Sequence, residues 1–424
     1  MDRQSILAEL EGDILPFWMQ RMPDPKGGFL GRMNGDGDIV PGSEKGAILN
    51  SRILWTFASA YRVLGKKEYL DTATRAYNEI RDRFTDKEYG GIFWSLDFEG
   101  RPKDTKKQFY AIAFAIYGLS EYFRATGDEE SLELAKSFYH SIEEHSFDPC
   151  GGGYIEACTR VWDTIEDMRL SDKDQNDAKT MNTHLHILEG YTNLYRVWKD
   201  SGLRERLSGL INIFIDKIIR PDGHLGLFFG DDWAPHSTAV SYGHDIEASW
   251  LLDEAAGVLG DKDLSAKVKS VCAKVAAAAM EGFSPEGGMI YEYDPATGRR
   301  DSDRHWWVQA ETVVGCLNQY QKTGEAKWLE SADSEWSFIR HHLIRPDGEW
   351  YWSLRSDGTT NTTDDRAGFW KCPYHNGRMC LEVLERRQCV GGSVGGSVGS
   401  GGCGRWVRGT QHIDYQATER SPGT

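Results

Sequence analysis

The run Gly90-Gly91-Ile92-Phe93-Trp94, followed by Phe109-Tyr110-Ala111-Ile112-Ala113-Phe114-Ala115-Ile116-Tyr117-Gly118-Leu119, decides the fold. A glycine pair opens a tight turn and a short aromatic run leaves it. The segment after it is apolar on nearly every side of a 3.6-residue period, so it must be buried on most sides. The same turn recurs as Gly27-Gly28-Phe29-Leu30, Gly152-Gly153-Tyr154-Ile155, Gly223-His224-Leu225-Gly226-Leu227, Gly287-Gly288-Met289-Ile290-Tyr291 and Gly348-Glu349-Trp350-Tyr351-Trp352. With residues 28, 91, 153, 224, 288 and 349 as markers, the spacings are 63, 62, 71, 64 and 61. A repeat this regular is an architectural period.

Each period holds two helical patterns. Before the turn lies an amphipathic, charge-rich stretch, as at 68–84 and 129–145; after it lies a more apolar one, as at 48–58 and 109–119. Six such pairs are best satisfied by six inner helices ringed by six outer ones. An open solenoid would leave the apolar helices of its end repeats in need of caps, and no atypical capping repeat is present. The expected fold is therefore all-α, an (α/α)6 barrel with short Gly-led β-hairpins at one end. The barrel is expected to form a single domain over 1–387. From Gln388-Cys389-Val390 onward the chain turns to Gly391-Gly392-Ser393-Val394-Gly395-Gly396, and 388–424 reads as a Gly/Ser-rich flexible tail.

Composition narrows the function. Of 424 residues 40% are hydrophobic, with 15 Trp, which suits a large folded core and excludes disorder. Asp plus Glu number 65 against 49 Lys plus Arg, a net charge of −16 with no basic patch, which argues against nucleic acid or an anionic membrane as partner. No apolar stretch of about 18 residues exists and the N-terminus is polar, so a cytoplasmic protein is expected. The eight Cys form no CxxC pair, which favours reduced thiols over a disulfide framework or a zinc site.

If every hairpin leads into an inner helix, the inner-helix starts converge on the axis at one end of the barrel. Reading them in order isolates Arg52; Gln108 and Tyr110; Asn182, His184 and His186; His244, Glu247 and Trp250; Trp306, Trp307 and Glu311; and Trp370, Tyr374 and His375. Polar groups on buried helices are costly unless paired or functional. His184 reads as a hydrogen-bonded core residue. His186, His244 and His375 come from three repeats at one axial level and read as a site. Glu247 lies three residues after His244, on the same face, where it can orient the imidazole. Arg52 is either a buried ion-pair member or a clamp for hydroxyl or carbonyl oxygens. Trp307 and Trp370 suit stacking on sugar rings.

His184 and His186 point about 200° apart around a helix, unlike the paired ligands of an HExxH motif, so a metal is not favoured. Glycoside hydrolysis needs two opposed carboxylic acids, whereas the convergent groups here are imidazoles. Neither a nucleotide-binding glycine loop nor a nucleophile elbow is present. The pattern favours histidine-based proton transfer with no cofactor and no metal.

The motifs Leu49-Asn50-Ser51-Arg52-Ile53-Leu54-Trp55, Met181-Asn182-Thr183-His184-Leu185-His186-Ile187-Leu188-Glu189, Gly243-His244-Asp245-Ile246-Glu247-Ala248-Ser249-Trp250 and Lys371-Cys372-Pro373-Tyr374-His375-Asn376-Gly377-Arg378 resemble the N-acylglucosamine 2-epimerase superfamily, and within it the cellobiose 2-epimerase branch. The resemblance spans about residues 1–387. It implies cofactor-independent inversion of C2 in the reducing-end glucose of β-1,4-linked disaccharides, cellobiose to glucosyl-mannose and lactose to epilactose, through ring opening and a cis-enediolate. It further implies that His244 and His375 transfer protons on opposite faces of C2 and that His186 is the ring-opening acid/base. Arg52 and Asn182 would bind hydroxyls of the reacting sugar, with Tyr110 nearby. Glu247 would partner His244, and Trp307 and Trp370 would stack on the two rings. A small disaccharide would be the only partner and the chain a monomer. The alternatives on this scaffold are an aldose–ketose isomerase or an N-acylglucosamine 2-epimerase. More distant are a glycoside hydrolase or lyase using Asp245 with Glu247 or Glu311, and a non-catalytic sugar- or protein-binding barrel.

Overall fold

In the computed structural model, which describes residues 1–386, each repeat contributes one outer and one inner helix. The tail expected at 388–424 lies outside the described residues. The outer helices are α1 (Arg3–Glu9, a π turn Leu10–Ile14, then Leu15–Arg21), α3 (Lys67–Glu79, then the π turn Ile80–Phe84), α5 (Glu129–His145), α7 (Ser201–Ile213, then the π turn Phe214–Ile218), α9 (Lys262–Ala279) and α11 (Ala326–His342). The inner helices are α2 (Ala47–Leu64), α4 (Phe109–Thr126), α6 (Met181–Val197), α8 (Tyr242–Leu259), α10 (Trp306–Thr323) and α12 (Tyr374–Glu385). On α4 every residue from Phe109 to Tyr122 is buried, as its all-round apolar sequence demands. Four inner helices stop at a glycine with φ of 71–74° (Gly65, Gly127, Gly260, Gly324), a left-handed cap that other residues adopt only with strain.

Each inner helix packs on the next, and α12 packs back on α2, so the ring is closed and no helix is left needing a cap. This is the (α/α)6 barrel. Short antiparallel ladders link consecutive repeats at one end. The residues entering an inner helix pair with the hairpin of the following repeat: Lys45–Gly46 with Ser95–Leu96, Lys107–Gln108 with Ala157–Cys158, Lys179–Thr180 with Phe228–Phe229, and Arg304–His305 with Ser353–Leu354. Val240 and Ser241 pair likewise with Tyr293 and Glu292, and Met33 with Ala367 joins the sixth repeat to the first. Three buried lysines at these entries hold hairpin aspartates, Lys45 with Asp24 at 2.8 Å, Lys107 with Asp86 at 2.9 Å and Lys179 with Asp148 at 2.7 Å. Each pair ties a hairpin to the start of an inner helix and so fixes the end of the barrel where side chains converge.

At the opposite end the Arg3 guanidinium donates to the carbonyls of Val383, Leu384 and Arg386 in and just after the last turn of the last inner helix, where the helix leaves carbonyls without partners. The longest marker spacing, 71 residues, contains the stretch 159–178 without helix or strand. Gln108 holds it, its amide donating to the carbonyls of Met168 and Arg169 at 2.9 Å. No helix of the described residues is long and apolar enough to cross a membrane. Their six cysteines are free thiols, five of them buried.

Candidate active site

Three imidazoles meet at the hairpin end of the ring. His186 of α6 and His375 of α12 are buried; His244 of α8 keeps some exposure. Each has Nδ1 tied: His186 to Glu189 Oε2 at 2.9 Å, His375 to Glu311 Oε1 at 2.7 Å, and His244 to the Ser241 hydroxyl at 2.7 Å. None of the three Nε2 atoms has a hydrogen-bond partner among the described residues. Loss of hydration holds all three well below the usual histidine range, His186 and His244 at about 3, and at His375 the guanidinium groups of Arg52 and Arg378 act in the same direction. At neutral pH each is therefore an uncharged imidazole, whose Nε2 accepts a proton where Nδ1 carries the ring hydrogen and donates one where Nδ1 accepts from its partner, as His375 can from a protonated Glu311.

Behind the imidazoles lies one buried charge network. Arg378, on α12 and fully buried, donates to Glu247 at 2.6 Å and Glu311 at 2.5 Å, and is also bonded to Glu189 and the Tyr374 hydroxyl. Two of the three carboxyls it holds are the histidine partners, so a single guanidinium links both dyads. Trp250 Nε1 donates to the second oxygen of Glu311 at 3.0 Å. Burial pushes the Glu311 and Glu189 carboxyls up, and Arg378 opposes it. Oxygens of Glu247 and Glu311 and a nitrogen of His375 lie within 4.8 Å of one another, a donor set that could hold a cation. The guanidinium of Arg378 already supplies positive charge at both carboxylates.

Arg52 has no carboxylate partner among the described residues. Its guanidinium lies over the rings of Phe114 (4.2 Å) and Tyr374 (4.8 Å) and donates to the Tyr110 hydroxyl at 2.9 Å, while Nε has no partner. A buried cation with an unused donor is suited to holding an oxygen of a ligand. Tyr110 in turn packs edge-on against His186 at 5.0 Å and Trp370 at 6.2 Å. Asn182 and His244 line an open cleft of about 600 Å³ bounded by Arg169, Leu170 and Tyr291, and the Asn182 carbonyl oxygen has no partner. Trp307 lies beside both His244 (4.8 Å) and His375 (5.6 Å). Gly243 makes that approach possible, since a Cβ there would fall 2.6 Å from the Trp307 ring. Trp307 and Trp370 are both half-buried, each with ring surface left to solvent.

The nine residues to which the family resemblance gives roles all sit near the starts of inner helices, at the hairpin end of the ring. One relation differs: Glu247 is not the partner of His244. Its carboxylate is drawn to Arg378, which brings a full charge, and the His244 ring is held by Ser241 instead. His184 is a core residue, with Nδ1 2.6 Å from the Thr180 carbonyl and Nε2 accepting the Tyr154 amide at 2.9 Å. Asp245 serves a hairpin, bonded to His224 and the Leu225 amide, and does not oppose Glu247 or Glu311 as a hydrolytic acid would. Glu189, Ser241 and Arg378 escaped assignment. Glu189 is legible as i+3 of His186, but Ser241 precedes its helix and Arg378 draws its partners from three other helices, which no local spacing reveals.

The N-acylglucosamine 2-epimerase (GlcNAc 2-epimerase) family pattern matches residues 28–377. A cellobiose 2-epimerase of Bacteroides fragilis is 57% identical over 385 residues, covering 90% of this chain and 98% of that protein. A cellobiose 2-epimerase of Ruminococcus albus is 42% identical over 384 residues, again 90% and 98%. Among solved structures, the cellobiose 2-epimerase of Bacillus thermoamylovorans superposes with a TM-score of 0.87 at 40% identity, over 91% of this chain and 99% of that one.

Proposed function

From the premise that the chain belongs to the N-acylglucosamine 2-epimerase family and is an isomerase of the cellobiose 2-epimerase type, we propose that it inverts C2 of the reducing-end glucose in β-1,4-linked disaccharides by two-histidine proton transfer. The observation that carries this is the set of three uncharged imidazoles, each with Nδ1 tied and Nε2 open, drawn from three different inner helices. In this reading His186 opens the pyranose ring by moving a proton between O1 and O5. The aldehyde then acidifies the C2 proton. One of His244 and His375 removes it, and the other returns a proton on the opposite face of the cis-enediolate. Arg52 and Asn182 hold hydroxyls and the developing oxyanion, while Trp307 and Trp370 supply flat surfaces for the two rings. The chain's own acids and bases perform every step. One barrel over 1–387 acts alone as a monomer on an uncharged sugar, in the cytoplasm, and 388–424 has no part in the chemistry.

The test is incubation with cellobiose and with lactose, with chromatographic separation of the products. The reading expects glucosyl-mannose and epilactose. A ketose as main product would make the chain an aldose–ketose isomerase, free glucose would make it a hydrolase, and turnover of N-acetylglucosamine alone would move it to the acetamido branch; each would overturn the reading.

A further inference from the structure

His244 differs from the other two imidazoles in what stands behind it. Nδ1 of His186 and of His375 each meets a carboxyl group, whereas Nδ1 of His244 lies 2.7 Å from the Ser241 hydroxyl. Ser241 occupies the N-cap of α8, where a serine ordinarily accepts from an amide in the first turn. Here its side chain makes no capping bond, and the hydroxyl is turned to the imidazole instead. It is buried, and with His244 it borders the cleft. The helix does not use this hydroxyl; the histidine does.

We propose that Ser241 is a positioning residue for C2 inversion: its oxygen accepts the Nδ1 proton of His244, which leaves the Nε2 lone pair for the sugar and makes His244 a base with no carboxylate behind it. The proposal rests on the epimerase reading above. In the step it serves, Nε2 of His244 takes the C2 proton, the C–H electron pair becomes the C1–C2 double bond, and the carbonyl pair moves onto oxygen. On the opposite face the Nε2–H of His375 gives its proton to C2 as those pairs shift back, and the proton held by Glu311 moves to Nδ1 of His375. His244 ends as an imidazolium facing a neutral hydroxyl, and His375 ends uncharged, with its hydrogen on Nδ1, beside the Glu311 carboxylate. The two bases are thus unequal in support, and loss of the Ser241 contact strikes one face of C2 only.

The experiment compares wild type, Ser241→Ala and Ser241→Thr in deuterated water, starting separately from cellobiose and from glucosyl-mannose. Ser241→Ala is expected to lose about 10- to 100-fold in kcat with KM within about twofold, and to unfold at the wild-type temperature because no cap is lost. Ser241→Thr, which keeps the hydroxyl, recovers most of kcat. The epimer whose C2–H faces His375 still exchanges that hydrogen for deuterium in Ser241→Ala, while exchange from the other epimer falls with kcat. Unchanged kcat, or equal loss of exchange from both epimers, overturns the proposal. Wild type run alongside separates this from the reaction assignment, which fails only if wild type itself makes no epimer.

Discussion

Glu311→Gln changes one oxygen of a buried carboxyl to an amide nitrogen and keeps its shape. Glu311 Oε1 lies 2.7 Å from His375 Nδ1 and 2.5 Å from an Arg378 nitrogen, and Oε2 accepts Trp250 Nε1 at 3.0 Å. Burial pushes the Glu311 carboxyl up, so in the resting protein the His375–Glu311 pair tends to hold a proton, and glutamine resembles that protonated form. Folding should therefore survive. Catalysis should not, because a His375 imidazolium needs the carboxylate. Two unit charges about 4 Å apart at an effective dielectric of about 20 interact by about 4 kcal/mol, and the amide dipole retains part of this. With about 1.4 kcal/mol per tenfold in rate, kcat should fall about 10²- to 10³-fold. The assay is initial-rate epimerisation of cellobiose, with circular dichroism and thermal unfolding on the same samples. A folded variant with kcat within about threefold of wild type would refute the reasoning.

Other expectations concern parts of the molecule away from His375. Trp370→Ala removes a half-buried ring that touches neither His244 nor His375, so KM for disaccharide should rise about tenfold with kcat within about threefold; steady-state kinetics reads the split, and a loss confined to kcat would contradict a stacking role. Glu335, buried on α11, accepts the Gly288 amide at 2.8 Å with one oxygen while the other has no partner, and burial raises its carboxyl from 4.5 to about 8. Between those pH values the folded chain holds a proton that the unfolded chain has lost, so wild-type stability falls as pH rises through that window. Glu335→Gln removes this penalty and should be more stable than wild type by roughly 3–5 kcal/mol at pH 9 and nearly equal to it below pH 5; urea unfolding at both values checks this, and a pH-independent difference would refute it. A chain ending at 387 keeps Arg3 and the carbonyls of Val383, Leu384 and Arg386, so its thermal midpoint and kcat should match those of the full chain, and insolubility of the shortened chain would refute that.

The barrel was legible because its constraint is periodic: six glycine-led turns at near-equal spacing and two helical patterns per period leave little choice but a ring. Even the cleft-bordering stretch 159–178 shows in the marker spacing, as the one interval of 71. The site was legible to the extent that polar residues on apolar helices stand out, which finds Arg52, His186, His244 and His375. What could not be read was pairing across the ring. Glu247 lies at the right step from His244, yet a guanidinium from α12 outcompetes an uncharged imidazole for its oxygens. Arg378 joins Glu189, Glu247 and Glu311 from three helices, a convergence that exists only once the ring has closed. Ser241 looks like an ordinary helix cap in sequence, and only its unused capping geometry shows that it serves His244.

The two-base claim is tested most directly by His244→Ala and His375→Ala, each incubated with cellobiose in deuterated water and followed by NMR at C2. Both variants should fold, neither should form glucosyl-mannose, and each should retain hydrogen exchange only from the epimer whose C2–H faces the remaining imidazole. Full epimerisation by either variant would contradict the account.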